Sequence, residues 1–376
     1  MPFSEQVMKL GSWSLDLDNC PRVIRRQWEQ ASMISITPTW CYDAALTRDE
    51  LLAQSMYAGV VEGWDNERAS LHGAGMLWWL GDADGIGDGI AYAGEVPKTW
   101  GAWLTKIVLD DITNGLTFDT YTGTAPTTTW PDTGTAPLPY NTREMIEELV
   151  SALAIPGYRV TPDGHFQHGD IFRTTPNVIL RPDDSGRDIF YRSFAVADWG
   201  VEKDFERWAN YVRNIGDGAS GAFPASFASE LKVSFDGAKE VRRKYTITSD
   251  ATTTVDCNNL AAAEYARRQP VRTLVSVSVE GFNVRQAIEP GDNVYAWSLH
   301  DRLVDVTNQI TTRGETIHPT ILRCFGMESP IQEGQGVQYL PNDPDAPWID
   351  LTPYIRWESG PTRLDVGSPR RSVFDR

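Results

Sequence analysis

The 376-residue chain carries 34 basic against 51 acidic side chains, a formal charge of −17, with 41 % hydrophobic residues, 14 Trp and 4 Cys. That balance excludes a protein that holds nucleic acid by counterion release, which needs a basic face. It suits a soluble protein, or one lining a passage through which nucleic acid slides without sticking.

The length predicts two or three domains. Met1 to Gly11 lacks the charged and apolar regions of a secretory signal, and no stretch approaches the length of a membrane span. Cys20, Cys41, Cys257 and Cys324 lie far apart with no Cys-x-x-Cys pair. Their spacing points away from disulfides or a zinc site and towards assembly in a reducing cytoplasm.

In chain order, residues 13–18 alternate as Trp-Ser-Leu-Asp-Leu-Asp and predict a strand, followed by a second over Ser32 to Thr39. Thr47-Arg48-Asp49-Glu50 has capping-box spacing and opens a short helix. Tyr57 to Trp64, a turn at Asp65-Asn66 and Glu67 to His72 predict a hairpin, and the apolar run after Gly73 predicts core packing. Trp100, Trp103, Leu104, Ile107 and Val108 make one helical stripe behind Thr99 as N-cap. The Thr-, Pro- and Gly-rich residues 118–140 predict an exposed loop. Asn141 and Glu144 open a second helix with the stripe Met145, Ile146, Leu149, Val150 and Leu153, stopped by Pro156-Gly157.

Tyr158 to Phe166 predicts a hairpin about Pro162-Asp163-Gly164. Residues 204–216 suit helix and strand alike, whereas Leu231, Val233 and Phe235 are expected to pair with Val241 to Ile247 across Asp236-Gly237. Asn258 to Gln269 predicts an Ala-rich helix. A compact β-unit follows: Val275, Val277 and Val279 alternate with polar residues, and Pro290-Gly291-Asp292 turns into a strand from Val294 to Trp297. Beyond Gln332, Gly, Pro and Asp dominate around Trp348 to Ile355, which predicts an extended arm that docks on a neighbour.

No stretch carries a chemical signature. Asp82, Asp84 and Asp88 invite a calcium loop, but Ile86 and Ala93 stand where an EF-hand needs oxygen ligands. The glycines at 85, 87 and 89 lack the spacing of a nucleotide-binding fingerprint. His165, His168 and Asp170 resemble a metal half-site without a further ligand; solvated hairpin histidines are the simpler expectation. His72, His300 and His318 are isolated. The basic spots Arg242-Arg243-Lys244 and Arg267-Arg268 are short and predict solvated faces. Catalytic, cofactor-binding and metal-ligating residues are therefore all expected to be absent.

A series of motifs resembles the minor tail proteins of long-tailed actinobacterial phages. It runs from Trp78-Trp79-Leu80-Gly81-Asp82 through the Asp163-Gly164 hairpin to Asn210-Tyr211-Val212 before Gly216-Asp217-Gly218. It continues with Pro290-Gly291-Asp292-Asn293-Val294, Arg313-Gly314-Glu315-Thr316-Ile317-His318-Pro319, Leu322-Arg323 and Ser329-Pro330-Ile331. Over roughly residues 10–335 the chain is similar to siphophage tail-tip (baseplate) hub proteins.

The resemblance implies a predominantly β, α+β chain of β-barrel-type hub domains. It divides into a β-rich part at 1–95, an inserted α+β domain at 96–190, a barrel-like part at 191–331 and the extended C-terminal arm at 332–376. The stretch from Pro290 to Pro330 becomes the closing strands of a hub barrel. The implied function is that of a non-enzymatic virion protein: a homotrimeric ring at the tail tip, assembled in the host cytoplasm. Its implied partners are the distal tail protein, the tape-measure protein in the lumen and, through the arm, other tail-tip proteins. It would take part in host attachment and entry, with DNA only as passing cargo and no cofactor. The alternatives are a receptor- or carbohydrate-binding tip protein, with Trp130 as an exposed platform, and a cell-wall hydrolase.

Overall fold

A computed structural model describes residues 3–38, 43, 45–81, 92, 94–111, 116–131, 134, 136, 142–181, 193–204, 209, 211–216, 224–228, 244–249, 254–268, 272–280, 284–297, 310–312, 315–331, 334–357 and 360–367. The chain is predominantly β, and it divides into two compact units. The larger comprises Met1–Trp199 and Val277–Phe374, and the smaller comprises Gly200–Ser276. The chain leaves the larger unit within the strand Ser193–Asp204 and re-enters it within Arg272–Val279.

The larger unit is organised by one 13-stranded sheet that closes twice. Six strands form a barrel in the order Asn293–Ala296, Ile179–Arg181, Ser193–Asp204, Arg272–Val279, Thr362–Gly367 and Thr320–Ser329, the last pairing back onto the first. Closure follows from the length of Thr320–Ser329. Its first half pairs antiparallel with Asn293–Ala296, and its second half pairs with Phe3–Gln6. Its other edge carries Thr362–Gly367, with an irregularity between Cys324 and Gly326; such bulges bend a strand and help a sheet to curl. The alternating Val275, Val277 and Val279 are all buried, as their period of two requires.

Past Phe3–Gln6 the sheet continues through Lys9–Asp16, Ser70–Gly75, Tyr57–Asp65, Met33–Pro38 and Gln335–Leu340 to Ile349–Asp350. This part also returns on itself. Leu17 bridges Ile355, and Arg356 N donates to Asp16 O at 3.0 Å. Inside lie Trp13, Leu15, Ile34, Ile36, Tyr57, Leu71, Val337 and Tyr339. Gly73 permits the close strand pairing here, since a Cβ at that position would sit 1.9 Å from Val60 O.

The hairpin expected over 57–72 forms, as does the short helix Arg48–Ala53. Thr47 and Glu50 complete its capping box, with Thr47 N donating to Glu50 Oε2 at 2.9 Å. The tail corrects the expectation of an extended arm. Gln335–Leu340 is buried throughout and pairs with Met33–Pro38, and Thr362–Gly367 is a barrel strand. Pro341, Pro344, Pro347 and Pro361 sit in the connections, while Gly336, Asp350, Asp365 and Gly367 fall within the strands themselves.

A small α+β layer completes the larger unit. The helix Trp100–Asp111 buries Trp100, Trp103, Leu104 and Ile107, but Val108 is exposed, so the stripe is one residue narrower than expected. Thr142–Ala152 buries Met145, Ile146, Leu149 and Val150. Each such side chain contributes about 1.5–3 kcal/mol on burial. Both helices share a core with the three-stranded sheet Thr117–Phe118, His165–His168 and Tyr158–Val160.

The smaller unit has Tyr211–Gly216 at its centre, so this part of the ambiguous stretch 204–216 is strand; residues 205–208 and 210 lie outside the described residues. Pro224–Ala228 pairs with it antiparallel and Lys244–Ser249 pairs parallel. The hairpin expected across Asp236-Gly237 lies outside the described residues, and the part of it that is described, from Lys244 onward, takes Tyr211–Gly216 as its partner. The helix Thr254–Arg268 starts one turn earlier than expected and packs Ala261 and Tyr265 with Ala209 and Val212.

Candidate functional site

The residues with chemical potential gather in two places, the α+β layer and the corner beside the barrel. His165 and His168 sit on one strand, as expected, with Gly164 at φ +81° in the turn before them. They do not form a solvated pair. His168 is 4 % exposed. Its Nδ1 accepts from Trp100 Nε1 at 3.1 Å, and its Nε2 donates to Asp119 O at 2.9 Å. Because one nitrogen faces a donor and the other an acceptor, the ring is neutral with its proton on Nε2. Burial pushes its pKa below the ordinary value, against the opposing pull of the Asp119 carbonyl and charge. Neither nitrogen has a lone pair left for a metal, so His168 is a satisfied core residue.

His165 behaves differently. Its Nδ1 donates to Asp119 Oδ1 at 2.9 Å, and Asp163 Oδ2 lies 3.9 Å from Nε2. The Asp119 hydrogen bond raises its pKa, with Asp163 adding to the effect. Asp170 is exposed beyond the end of the strand. Among the described residues, no group of three or more His, Cys, Asp or Glu side chains is placed to hold a metal ion. The Asp82–Asp88 loop and Arg242-Arg243 lie outside the described residues. Arg267-Arg268 ends the helix of the smaller unit, and His318 is exposed.

Trp130, expected as an exposed platform, is 9 % exposed. Thr129–Trp130 pairs with Lys98–Thr99, and Trp130 O accepts from Trp103 Nε1 at 2.8 Å. A large aromatic in a Thr/Pro-rich segment is here the anchor that fastens the segment to the helix. The flanking Thr and Pro residues masked that role in the sequence.

The Pro290-Gly291-Asp292 corner is the more elaborate site. Asp292 accepts from the backbone N–H groups of Arg173 (2.9 Å) and Glu289 (3.2 Å). Burial raises its pKa, and those two bonds and the Arg173 charge oppose the shift. Gly291 has φ +104°, and a Cβ there would lie 2.2 Å from the Phe172 ring. Arg323 stacks over that ring at 5.3 Å and donates through Nε to Gly291 O at 3.1 Å. The corner thus locks the end of the α+β layer to the barrel. Its turn was visible in sequence, but Phe172 and Arg173 were not singled out and Arg323 was named only as part of a motif, because no local spacing marks them as its partners. Among the described residues, no helix is long and apolar enough to cross a membrane.

This architecture is that of phage tail proteins of known structure. Over 100 % of its length the chain superimposes on 93 % of the tail protein from Neisseria meningitidis, with a TM-score of 0.54 at 11 % identity. It matches 93 % of the 43 kDa tail protein of prophage MuSo2 from Shewanella oneidensis over 98 % of its own length, with a TM-score of 0.53 at 9 % identity. For prophage tail protein gp18 from Listeria monocytogenes the TM-score is 0.51 at 12 % identity, over 99 % of this chain and 89 % of that one. No protein-family model and no curated protein matches the sequence.

Proposed function

We propose that the chain is a structural subunit of a phage tail, a tail-tip hub of a long-tailed phage that joins copies of itself into a ring closing or extending the tail tube. The observation that carries this reading is the end-to-end likeness to tail proteins. It spans 98 % or more of this chain and 89 % or more of each neighbour, so it covers an architecture rather than one shared module. Two closed sheets joined through one strand form a stiff body, as a ring subunit requires. The formal charge of −17 suits a ring whose lumen passes DNA, since a basic lining would hold the phosphates.

In this reading the ring is homotrimeric, contacts the distal tail protein above and the tape-measure protein within, and acts without catalysis during host attachment and DNA passage. The burial of Trp130 removes the example named as a platform for the carbohydrate-binding alternative. The test is mass photometry and electron microscopy of the full chain, alone and co-expressed with its distal tail protein. Closed rings of three copies are expected. A chain that stays monomeric in both preparations and binds isolated host cell wall would overturn the reading.

A further inference from the structure

The sheet of the smaller unit has one covered face and one open face. On Tyr211–Gly216 the buried residues are Val212, Asn214 and Gly216, and Val212 packs with Ala261 and Tyr265 of the helix Thr254–Arg268. Asn214 Nδ2 donates to Cys257 O at 3.4 Å on the same side. Alternation turns the half-buried Tyr211, Arg213 and Ile215 the other way, and the parallel register sets Lys244, Thr246 and Thr248 beside them. Those three are exposed. Arg213 and Lys244 are diagonal neighbours on this face, and neither makes an ion pair with another described residue.

Charge says what this face can meet. Of the 34 basic and 51 acidic side chains, 11 and 10 fall within Gly200–Ser276, which leaves 23 basic against 41 acidic in the rest of the chain. One exposed corner of the larger unit gathers part of that acid. Asp43 precedes the helix Arg48–Ala53, Asp49 and Glu50 stand in its first turn, and Asp343 and Asp345 stand in the connection after Gln335–Leu340; all five are exposed. Arg48 Nη1 donates to Pro341 O at 2.6 Å and Trp348 Nε1 to Leu46 O at 3.1 Å, which holds helix and connection together. The Arg48 guanidinium is spent on that carbonyl, and none of the five carboxylates makes an ion pair with a described residue.

A ring of identical copies needs a heterologous contact, two different and complementary patches on each subunit. An open sheet face with unpaired cations and an exposed corner of unpaired carboxylates are such a pair. We propose that the open sheet face of the smaller unit docks on the acidic corner of a second copy, with Arg213 and Lys244 meeting its carboxylates and Ile215 covered between them. This rests on the ring reading above and names the contact that closes the ring. A nucleic-acid strand fits the face less well. Strand binding uses several stacked aromatics along a basic groove, and Tyr211–Gly216 and Lys244–Ser249 place one ring, Tyr211, on this side.

The test is a charge swap in the full chain, read by mass photometry under the conditions in which the unaltered chain forms rings. Arg213→Glu with Lys244→Glu is expected to raise the concentration needed for closed rings about tenfold or more, because like charges then face one another. Asp49→Lys with Asp345→Lys is expected to do the same. The fourfold variant restores opposite charges across the contact and is expected to form rings within about threefold of the unaltered concentration. Melting curves of each variant are expected to match the unaltered chain. Rings indifferent to both double variants, or not recovered in a folded fourfold variant, would overturn the inference and leave the ring reading standing. So would fluorescent single-stranded DNA that binds the unaltered chain, is lost with Arg213→Glu and Lys244→Glu, and leaves rings unchanged; the face would then belong to nucleic acid. An unaltered chain that forms no rings, alone or with its distal tail protein, overturns the ring reading and this contact together.

Discussion

In the N-terminal closed sheet, most neighbouring strands are also near neighbours in sequence. Met33–Pro38 pairs with Tyr57–Asp65, which pairs with Ser70–Gly75. The six-stranded barrel instead gathers segments as far apart as Ile179–Arg181 and Thr362–Gly367, and Ile179–Arg181 lies parallel to both of its neighbours. The cores differ as well. Trp13, Trp28, Tyr57 and Tyr339 fill the first, whereas Val277, Val294, Leu322 and Val366 serve the second. The first sheet can nucleate from hairpins; the second must close long loops before its contacts form. The two meet in Thr320–Ser329, and both need the last third of the chain to close.

That dependence yields the largest expected effect. A chain ending at Ile331 loses Gln335–Leu340 from one sheet and Thr362–Gly367 from the other. It is expected to lose cooperative unfolding and to be digested rapidly in limited proteolysis. If it kept the melting temperature of the full chain, the tail would be a peripheral arm after all.

Single core changes come next. Ile36→Ala, in a position with no exposure, is expected to cost about 2–5 kcal/mol in denaturant unfolding. Gly73→Ala forces a Cβ against the Val60 carbonyl and is expected to cost about 1–3 kcal/mol or more. A loss at Ile36 that leaves the barrel strands protected in hydrogen exchange would show that the two sheets unfold separately.

The legibility of the sequence follows the same division. Local signals held where the partner was local: the Thr47–Glu50 box, the hairpin expected over 57–72, whose second strand runs Ser70–Gly75, and the Met145 to Val150 stripe all form. The Pro-Gly-Asp turn was legible too, because Gly291 needs its positive φ. Strand pairings at long range left no local trace. Nothing near Gln335 announces Met33–Pro38 as its partner, so a Gly- and Pro-punctuated tail read as an arm. His168 read as solvated because its partners, Trp100 and Asp119, come from other elements.

The α+β layer gives a smaller, pH-dependent prediction. Unfolded His168 takes up a proton near the ordinary value of 6.5, while the folded residue resists protonation until lower pH. The unfolded state therefore binds more protons in that window, and stability falls as pH drops below 6.5. His165 acts in the opposite sense: its contribution is present below its ordinary value and is lost as pH rises through its raised folded value. It is the more exposed of the two, so solvent screens it and acid destabilisation is the expected net result. Trp100→Phe removes the indole donor to Nδ1 and is expected to cost about 1–3 kcal/mol near neutrality. Because it frees Nδ1 for protonation, it is also expected to flatten the acid-side loss. Melting curves across the range check both signs. The smallest effect is Thr47→Ala, at about 1 kcal/mol for the lost cap, read by the same melts.

The proposed tail-tip reading is tested most directly by cryo-electron microscopy of particles assembled with this chain. The account predicts density for it as a closed ring of copies at the end of the tail tube. Density in a peripheral fibre or knob, away from the tube axis, would contradict it.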